Sequence, residues 1–253
     1  MLIFIAILAV VIVIYLHMLF HWKVSNEIDI PHVLAPKKGK LERIGDTHQP
    51  FIFERKIEEE NIVTKGMEQD VTIKTEKSLI KVPHKAMLSA VRENAYICEN
   101  NQAFLKTTNL VRANKGLSEL DDYLRPPMTM NTNYNIIYGN SNVATKLKHS
   151  LNYRNYLCVM EGDVEIKLSP PKSLAIFKNN KENDLWDTKD KYSSCDIILL
   201  PIKKGSIIHI PAYWSYTIRF PNFACVMSFS YITYTNALAQ IPERMRIKKI
   251  DFF

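Results

Sequence analysis

The sequence predicts a mainly β domain that is flanked by helices and preceded by one apolar helix. In the middle of the chain Val164, Ile166 and Leu168 alternate with charged residues, as in a strand that buries one face. Between residues 83 and 124 apolar side chains recur at spacings of three and four, which is the helical period. The first 20 residues are almost entirely apolar.

The apolar N-terminus is interrupted only by Tyr15 and His17. A helix over these residues is ~30 Å long at ~1.5 Å per residue, the thickness of a bilayer core. A cleaved signal peptide is the rival interpretation, but no Lys or Arg precedes the run and its exit offers no small-x-small cleavage site. We therefore predict a transmembrane anchor at residues 1–22 that contacts the membrane through residues 1–20.

The orientation of the anchor follows from its flanks, because Lys and Arg near a membrane stay on the cytoplasmic side. Basic residues follow the apolar run and none precedes it: Lys23, Lys37, Lys38, Lys40 and Arg43. The four cysteines are scattered, which favours buried thiols in a reducing compartment over a disulfide or zinc site. We expect a single-pass membrane protein whose C-terminal domain faces the cytoplasm.

Residues 23–50 are polar, contain Pro31, Pro36, Gly39 and Gly45, and are predicted to be a juxtamembrane linker. Their basic cluster either contacts anionic lipid or is simply solvated. About 230 residues follow the anchor, enough for one domain, which we place at residues 51–253.

The predicted domain begins with strands at Phe51–Ile57 and Val71–Thr75, which lead into or edge a sheet. Helices cover residues 83–124 and end before Arg125-Pro126-Pro127, because proline cannot continue a helix.

The β region opens at Tyr134–Tyr138. Asn155–Met160 and Asp163–Ser169 are separated only by Glu161-Gly162, which predicts a hairpin. Residues Phe177–Ser194 are predicted to form a surface loop. Four further strands are expected, at Ile197–Leu200, Ser206–Ile210, Tyr216–Phe220 and Ala224–Ile232.

Two motifs in this β region carry a family resemblance. The first has four members and the second two: His149, Asn155, Gly162 and Pro170-Pro171, then Gly205 and Ile210-Pro211-Ala212-Tyr213-Trp214. In order and spacing they resemble the cupin-like JmjC family, which includes asparaginyl and lysyl hydroxylases and demethylases. The resemblance covers roughly Lys85 to Pro242 and implies a double-stranded β-helix, for which about eight core strands suffice.

The resemblance also implies where a metal site would lie. The family holds iron through His-x-Asp/Glu and a distal His, leaving coordination positions open for 2-oxoglutarate and oxygen. Here His149 fits the first ligand, but Leu151 and Tyr216 stand at the other two positions, and Val164 stands where the family's basic anchor for 2-oxoglutarate lies. A shift of one residue would bring Lys148 and Ser150 to the His and Asp positions, and neither register restores the site.

These substitutions predict a degenerate pocket without metal or cofactor. His149 is expected to be a hydrogen-bonded pocket histidine, Asn155 to satisfy backbone groups, and Trp214 to fill the mouth of the barrel. The net charge of +7 and the basic tail Arg244–Lys249 come without a nucleic-acid-binding module, so we do not expect nucleic acid as a partner.

The sequence therefore predicts a membrane-anchored pseudoenzyme that acts as a binding or structural module for an unidentified protein partner. One alternative is an iron- and 2-oxoglutarate-dependent protein hydroxylase with atypical ligands. A second alternative is a structural protein associated with lipid or a virion, which rests on the anchor.

Overall fold

The computed structural model describes residues 2–56, 70–74, 79–94, 96–173, 186 and 196–242. Most of the predicted loop Phe177–Ser194, the end of the predicted strand Phe51–Ile57, Thr75, Cys195 and the basic tail Arg244–Lys249 lie outside the described residues.

The described residues form seven α-helices and fourteen β-strands. The helices are α1 (Leu2–Trp22), α2 (Lys38–Gly45), α3 (His84–Glu93), α4 (Gln102–Thr108), α5 (Leu110–Ala113), α6 (Lys115–Leu124) and α7 (Tyr234–Ala239). The strands are β1 (His32–Val33), β2 (Phe51–Glu54), β3 (Asp70–Lys74), β4 (Leu79–Pro83), β5 (Ile97–Cys98), β6 (Thr129–Gly139), β7 (Val143–Ala144), β8 (Lys148–His149), β9 (Arg154–Glu161), β10 (Val164–Ser169), β11 (Ile198–Ile202), β12 (Ser206–Pro211), β13 (Ser215–Phe220) and β14 (Ala224–Thr233). The prediction of a mainly β protein with several helices is confirmed.

Helix α1 is long and apolar enough to cross a membrane. Its span Ile3–Trp22 has a mean hydropathy of 3.0 and lies outside the packed core. The predicted apolar N-terminal helix is thus present.

The segment predicted to be a linker is folded onto the domain. Strand β1 pairs in parallel with β2, and Leu41 of α2 is buried in the core. The buried Arg154 donates from Nη1 to the Gly45 carbonyl at 2.7 Å and forms an ion pair with Asp46. Because Arg154 satisfies carbonyl groups at the end of α2, residues 32–46 belong to the domain and the linker prediction is wrong for them.

The strands form two sheets. The first has nine strands in the order β1-β2-β12-β9-β14-β6-β5-β3-β4, and the second has five, four of them in the order β11-β10-β13-β7, with β8 also paired to β13. From β6 onward, every pairing in both sheets is antiparallel.

The predicted hairpin around Glu161-Gly162 is wrong. Strand β9 pairs with β12 and β14 in the first sheet, whereas β10 pairs with β11 and β13 in the second. The chain therefore crosses from one sheet to the other at Gly162, whose φ is +69°. A Cβ at this position would lie 2.3 Å from the Phe223 carbonyl oxygen, so the crossing requires glycine.

Two apolar cores lie on the two sides of the first sheet. The core between the sheets contains side chains of both, including Leu157, Ile166 and Ile218. The other core packs the opposite face of the first sheet against the helices, through residues such as Met87 and Phe229. The helices thus cover one side of the first sheet, as the sequence predicts for the scaffold.

Candidate functional site

The two motif positions His149 and Tyr216 lie on neighbouring strands of the second sheet. Strand β8 runs antiparallel to β13, with Lys148 opposite Tyr216 and His149 opposite Ser215. Directly opposite residues share a face of a sheet. Tyr216 belongs to the core between the sheets, so Lys148 lies on this inner face. His149 lies on the outer face, with Nδ1 3.5 Å from the Ser215 hydroxyl.

An ion pair stands at the inner position next to Tyr216. Lys148 Nζ lies 2.9 Å from Oε2 of Glu99, which directly follows β5, and both side chains are largely buried. Burial, assisted by the negative charge of Glu99, raises the pKa of the Tyr216 phenol, which therefore stays protonated at neutral pH. The inner face of the second sheet thus carries an ammonium, a carboxylate and a neutral phenol near β8.

Asn155 joins the loop after β8 to three strands. Its Oδ1 accepts from the hydroxyls of Ser150 at 3.0 Å and Ser230 at 2.9 Å. Its Nδ2 donates to the Ile210 carbonyl at 3.2 Å and the Asn152 carbonyl at 3.3 Å. This buried amide satisfies backbone and hydroxyl groups together, the role that the sequence predicts for it.

The other predicted pocket residues lie in two different places, the apolar core and the segment after β8. Val164 and Trp214 are buried in the core between the sheets with Tyr216, so their side chains fill the interior. Leu151 lies in the turn after β8, where its carbonyl accepts from Gln240 Nε2 at 2.6 Å and Asn236 Nδ2 at 3.3 Å. The Leu151 backbone thus anchors α7 and the residue that follows it.

The residues present do not fit a catalytic iron. In the described part of the chain, no three His, Cys, Asp or Glu side chains are grouped closely enough to hold a metal ion. A lysine ammonium has no free electron pair, and a buried neutral phenol is a poor ligand, whereas metal binding needs several deprotonated donors.

A second feature, which the sequence patterns did not predict, is a cavity of about 500 Å³ where α1 meets the domain. Residues from five separate parts of the chain line it: Leu16, His17, Phe20, His21, Glu42, Asp46, Pro126, Pro127, Met128, Tyr153, Arg154, Thr233 and Thr235. In the sequence, the signal for this cavity is limited to two polar residues at the end of the apolar helix, His17 and His21. Their spacing of four places both on one face of the helix.

A scan against protein-family models finds no match to this chain, and a search of curated proteins finds no significant relative.

Proposed function

We propose that this chain is a membrane-anchored domain of the double-stranded β-helix type, which has lost the oxygenase metal site and acts as a binding or structural module. The single observation that carries the proposal is the Lys148–Glu99 ion pair beside Tyr216, at the inner position where the resembling family binds metal.

The strand order supports the fold assignment. Strands β6, β9, β12 and β14 lie together in the first sheet, and β7, β8, β10, β11 and β13 form the second. Along the chain, each strand after β6 crosses to the opposite sheet except at the β7–β8 and β10–β11 steps. Eight-stranded jelly rolls, including cupins, have two facing antiparallel sheets of this kind.

The shifted motif register supports the loss of the metal site. With Lys148 on the inner face, Lys148, Ser150 and Tyr216 take the positions of the ligand triad. The Ser150 hydroxyl is already hydrogen-bonded to Asn155. The Lys148 ammonium, which has no free electron pair, stands where the family has its first imidazole, and it already occupies the Glu99 carboxylate that could otherwise bind a cation.

The filled interior supports a binding or structural role. Apolar side chains from both sheets occupy the space between them, including Trp214, Ile210 and Phe220. A partner would therefore contact the outside of the domain. We propose that this partner is a protein, which remains to be identified.

Metal content and oxoglutarate turnover of the purified full-length chain test the proposal. We expect no stoichiometric Fe, Mn or Zn, and no decarboxylation of 2-oxoglutarate. The variant Lys148→His/Ser150→Asp/Tyr216→His should bind Fe(II) or Mn(II) more tightly than the wild type. The matched control Leu151→Asp/Tyr216→His restores the other register and should give a smaller gain, because its first ligand, His149, lies on the outer face.

Tight iron binding by the wild type, or oxoglutarate decarboxylation that His149→Ala abolishes, would contradict the proposal. Either result would favour the alternative of a hydroxylase with atypical ligands.

A further inference from the structure

Helix α1 is attached to the domain by its last turns. The His21 imidazole Nε2 lies 2.8 Å from the Thr235 hydroxyl, and the Trp22 indole N–H donates to the Ala239 carbonyl at 2.8 Å. Phe20 and His21 also contact the rings of His48 and Tyr153, respectively. The anchor therefore has a fixed position on the domain at its C-terminal end.

The earlier part of α1 projects away from the domain. Large apolar side chains from Ile3 to Leu16 are exposed, between 38% at Ile14 and 78% at Ile3. Among the described residues, the domain thus meets the anchor near the C-terminal end of α1.

An apolar loop of the domain stands beside this end of α1. Pro127 and Met128 lie between α6 and β6, and both side chains are exposed, Met128 to 71%. Met128 has a φ of +54°, a backbone conformation that is unfavourable for a bulky residue. The Thr129 hydroxyl, which donates to the Pro126 carbonyl at 2.7 Å, closes this turn. An exposed methionine is thus held at the tip of a proline turn.

Tyr234 lies in the chain between two residues that line the same cavity. Its neighbours Thr233 and Thr235 line the cavity with Leu16 and Met128, and the Tyr234 side chain is 57% exposed. In α7, Asn236 and Gln240 bind the Leu151 carbonyl, while Thr235 and Ala239 contact α1. Tyr234 is therefore on a face of α7 that neither the domain nor the anchor covers. We call Pro127, Met128 and Tyr234 the collar.

The position of the collar along α1 is the decisive observation. Leu16 and Met128 line one cavity, and Leu16 precedes the end of the helix by six residues, or ~9 Å at ~1.5 Å per residue. A hydrocarbon core of ~30 Å needs ~20 residues, so it extends from the start of α1 past Leu16. Even a membrane boundary at Leu16 puts the collar in the headgroup layer.

We propose that the collar inserts into the membrane interface around α1, so that the domain lies against the bilayer surface and is not held at a distance by a tether. This inference rests on the proposal that α1 spans the membrane. The chemistry suits the interface, because the collar has no charged side chain and tyrosine is enriched at the level of the headgroups. The lipid bilayer is the partner that fits this surface.

Fluorescence depth measurements on the full-length chain in phosphatidylcholine vesicles test the inference. An environment-sensitive fluorophore is attached to Met128→Cys or Tyr234→Cys in a Cys195→Ser background. The other three cysteines, Cys98, Cys158 and Cys225, are buried, and burial raises the pKa of each thiol, which keeps them unreactive. Lipids with a nitroxide near the headgroup should quench both labels, and aqueous iodide should not.

Two controls make the result decisive. Ile80→Cys is the matched control, since Ile80 is apolar and 44% exposed but lies in β4 at the opposite edge of the first sheet from β1. Its label should be quenched by iodide and not by the lipid nitroxide. Ile7→Cys reports on insertion of α1 itself. If lipid nitroxide quenches the Ile7 label but only iodide quenches the collar labels, then α1 is inserted and the proposed insertion of the collar is wrong. Iodide quenching at Ile7 would overturn both.

Discussion

His84 is a buried imidazole whose Nε2 lies 3.0 Å from the Tyr138 hydroxyl and whose ring packs against Phe104. Burial lowers its pKa from 6.5 to about 4. The folded protein therefore holds the neutral form at pH values where the unfolded chain has begun to bind a proton. Stability from this group is fully present above pH 6.5 and is lost as the pH falls toward 4.

We expect His84→Gln to make the free energy of unfolding less dependent on pH. Between pH 8 and pH 5 the wild type should lose about 2 kcal/mol more than the variant, from the difference between the two pKa values. Urea denaturation of the full-length chain in mild detergent at the two pH values measures this. The exposed His32→Gln is the control and should match the wild type. Equal losses for His84→Gln and wild type would contradict the prediction.

At the scale of elements, the crossing from β9 to β10 depends on the backbone of Gly162. Gly162 and Gly205 both have positive φ, +69° and +82°. A methyl group added at Gly162 would lie 2.3 Å from the Phe223 carbonyl oxygen, whereas one added at Gly205 would have nothing within 4 Å. We expect Gly205→Ala to cost about 1–2 kcal/mol from backbone strain alone.

Gly162→Ala should cost clearly more, at least about 3 kcal/mol, because the backbone must shift to relieve the clash as well as bear the strain. Chemical denaturation of both variants measures the difference. Equal losses of stability would show that the crossing tolerates a side chain.

The second prediction at this scale concerns β1 and α2, which precede residue 51 and pack on the domain. Removal of residues 1–50 would take away the Gly45 carbonyl and the Asp46 carboxylate that the Arg154 guanidinium binds, together with the buried Leu41 side chain. It would also expose the edge of β2 that β1 covers. We expect a chain of residues 24–253 to be more stable and less prone to aggregate than one of residues 51–253. Identical thermal unfolding of the two would contradict this.

For the whole molecule, the distribution of charge around α1 predicts which side of the membrane the domain occupies. The five basic residues that follow α1 within residues 23–43 all have exposed side chains, although Lys38 also donates to the Asp122 carbonyl at 2.7 Å. Their charges can attract anionic lipid of the cytoplasmic leaflet. In sealed vesicles whose outer face corresponds to the cytosol, added protease should digest the domain. Full protection until detergent is added, or a mature N-terminus at about residue 22, would refute this topology. A lumenal marker protein serves as the control for sealed vesicles.

The sequence by itself determined what local pattern can carry. The apolar run became α1, the spacings of three and four became α3 to α6, and the alternation at Val164, Ile166 and Leu168 became a strand with one face in the core. Asn155 was correctly expected to satisfy backbone groups. These outcomes depend on neighbours in the chain and on burial of apolar surface, both of which a sequence displays directly.

Only the tertiary structure decided how these elements meet. Alternation tells which face of β10 is buried but not which strand pairs with it, so a crossing between sheets looked like a hairpin. The sequence placed His149 in the pocket, but the register of β8 against β13 puts Lys148 on the inner face and His149 on the outer face. A shift of one residue in register moves every side chain of a strand to the opposite face. Arg154 holds the end of α2 on the domain, and Thr235 and Ala239 hold the end of α1. Each of these contacts joins residues more than 100 positions apart in the chain. Contacts between such distant residues leave no periodic signal in the sequence, and they fix where both candidate sites lie.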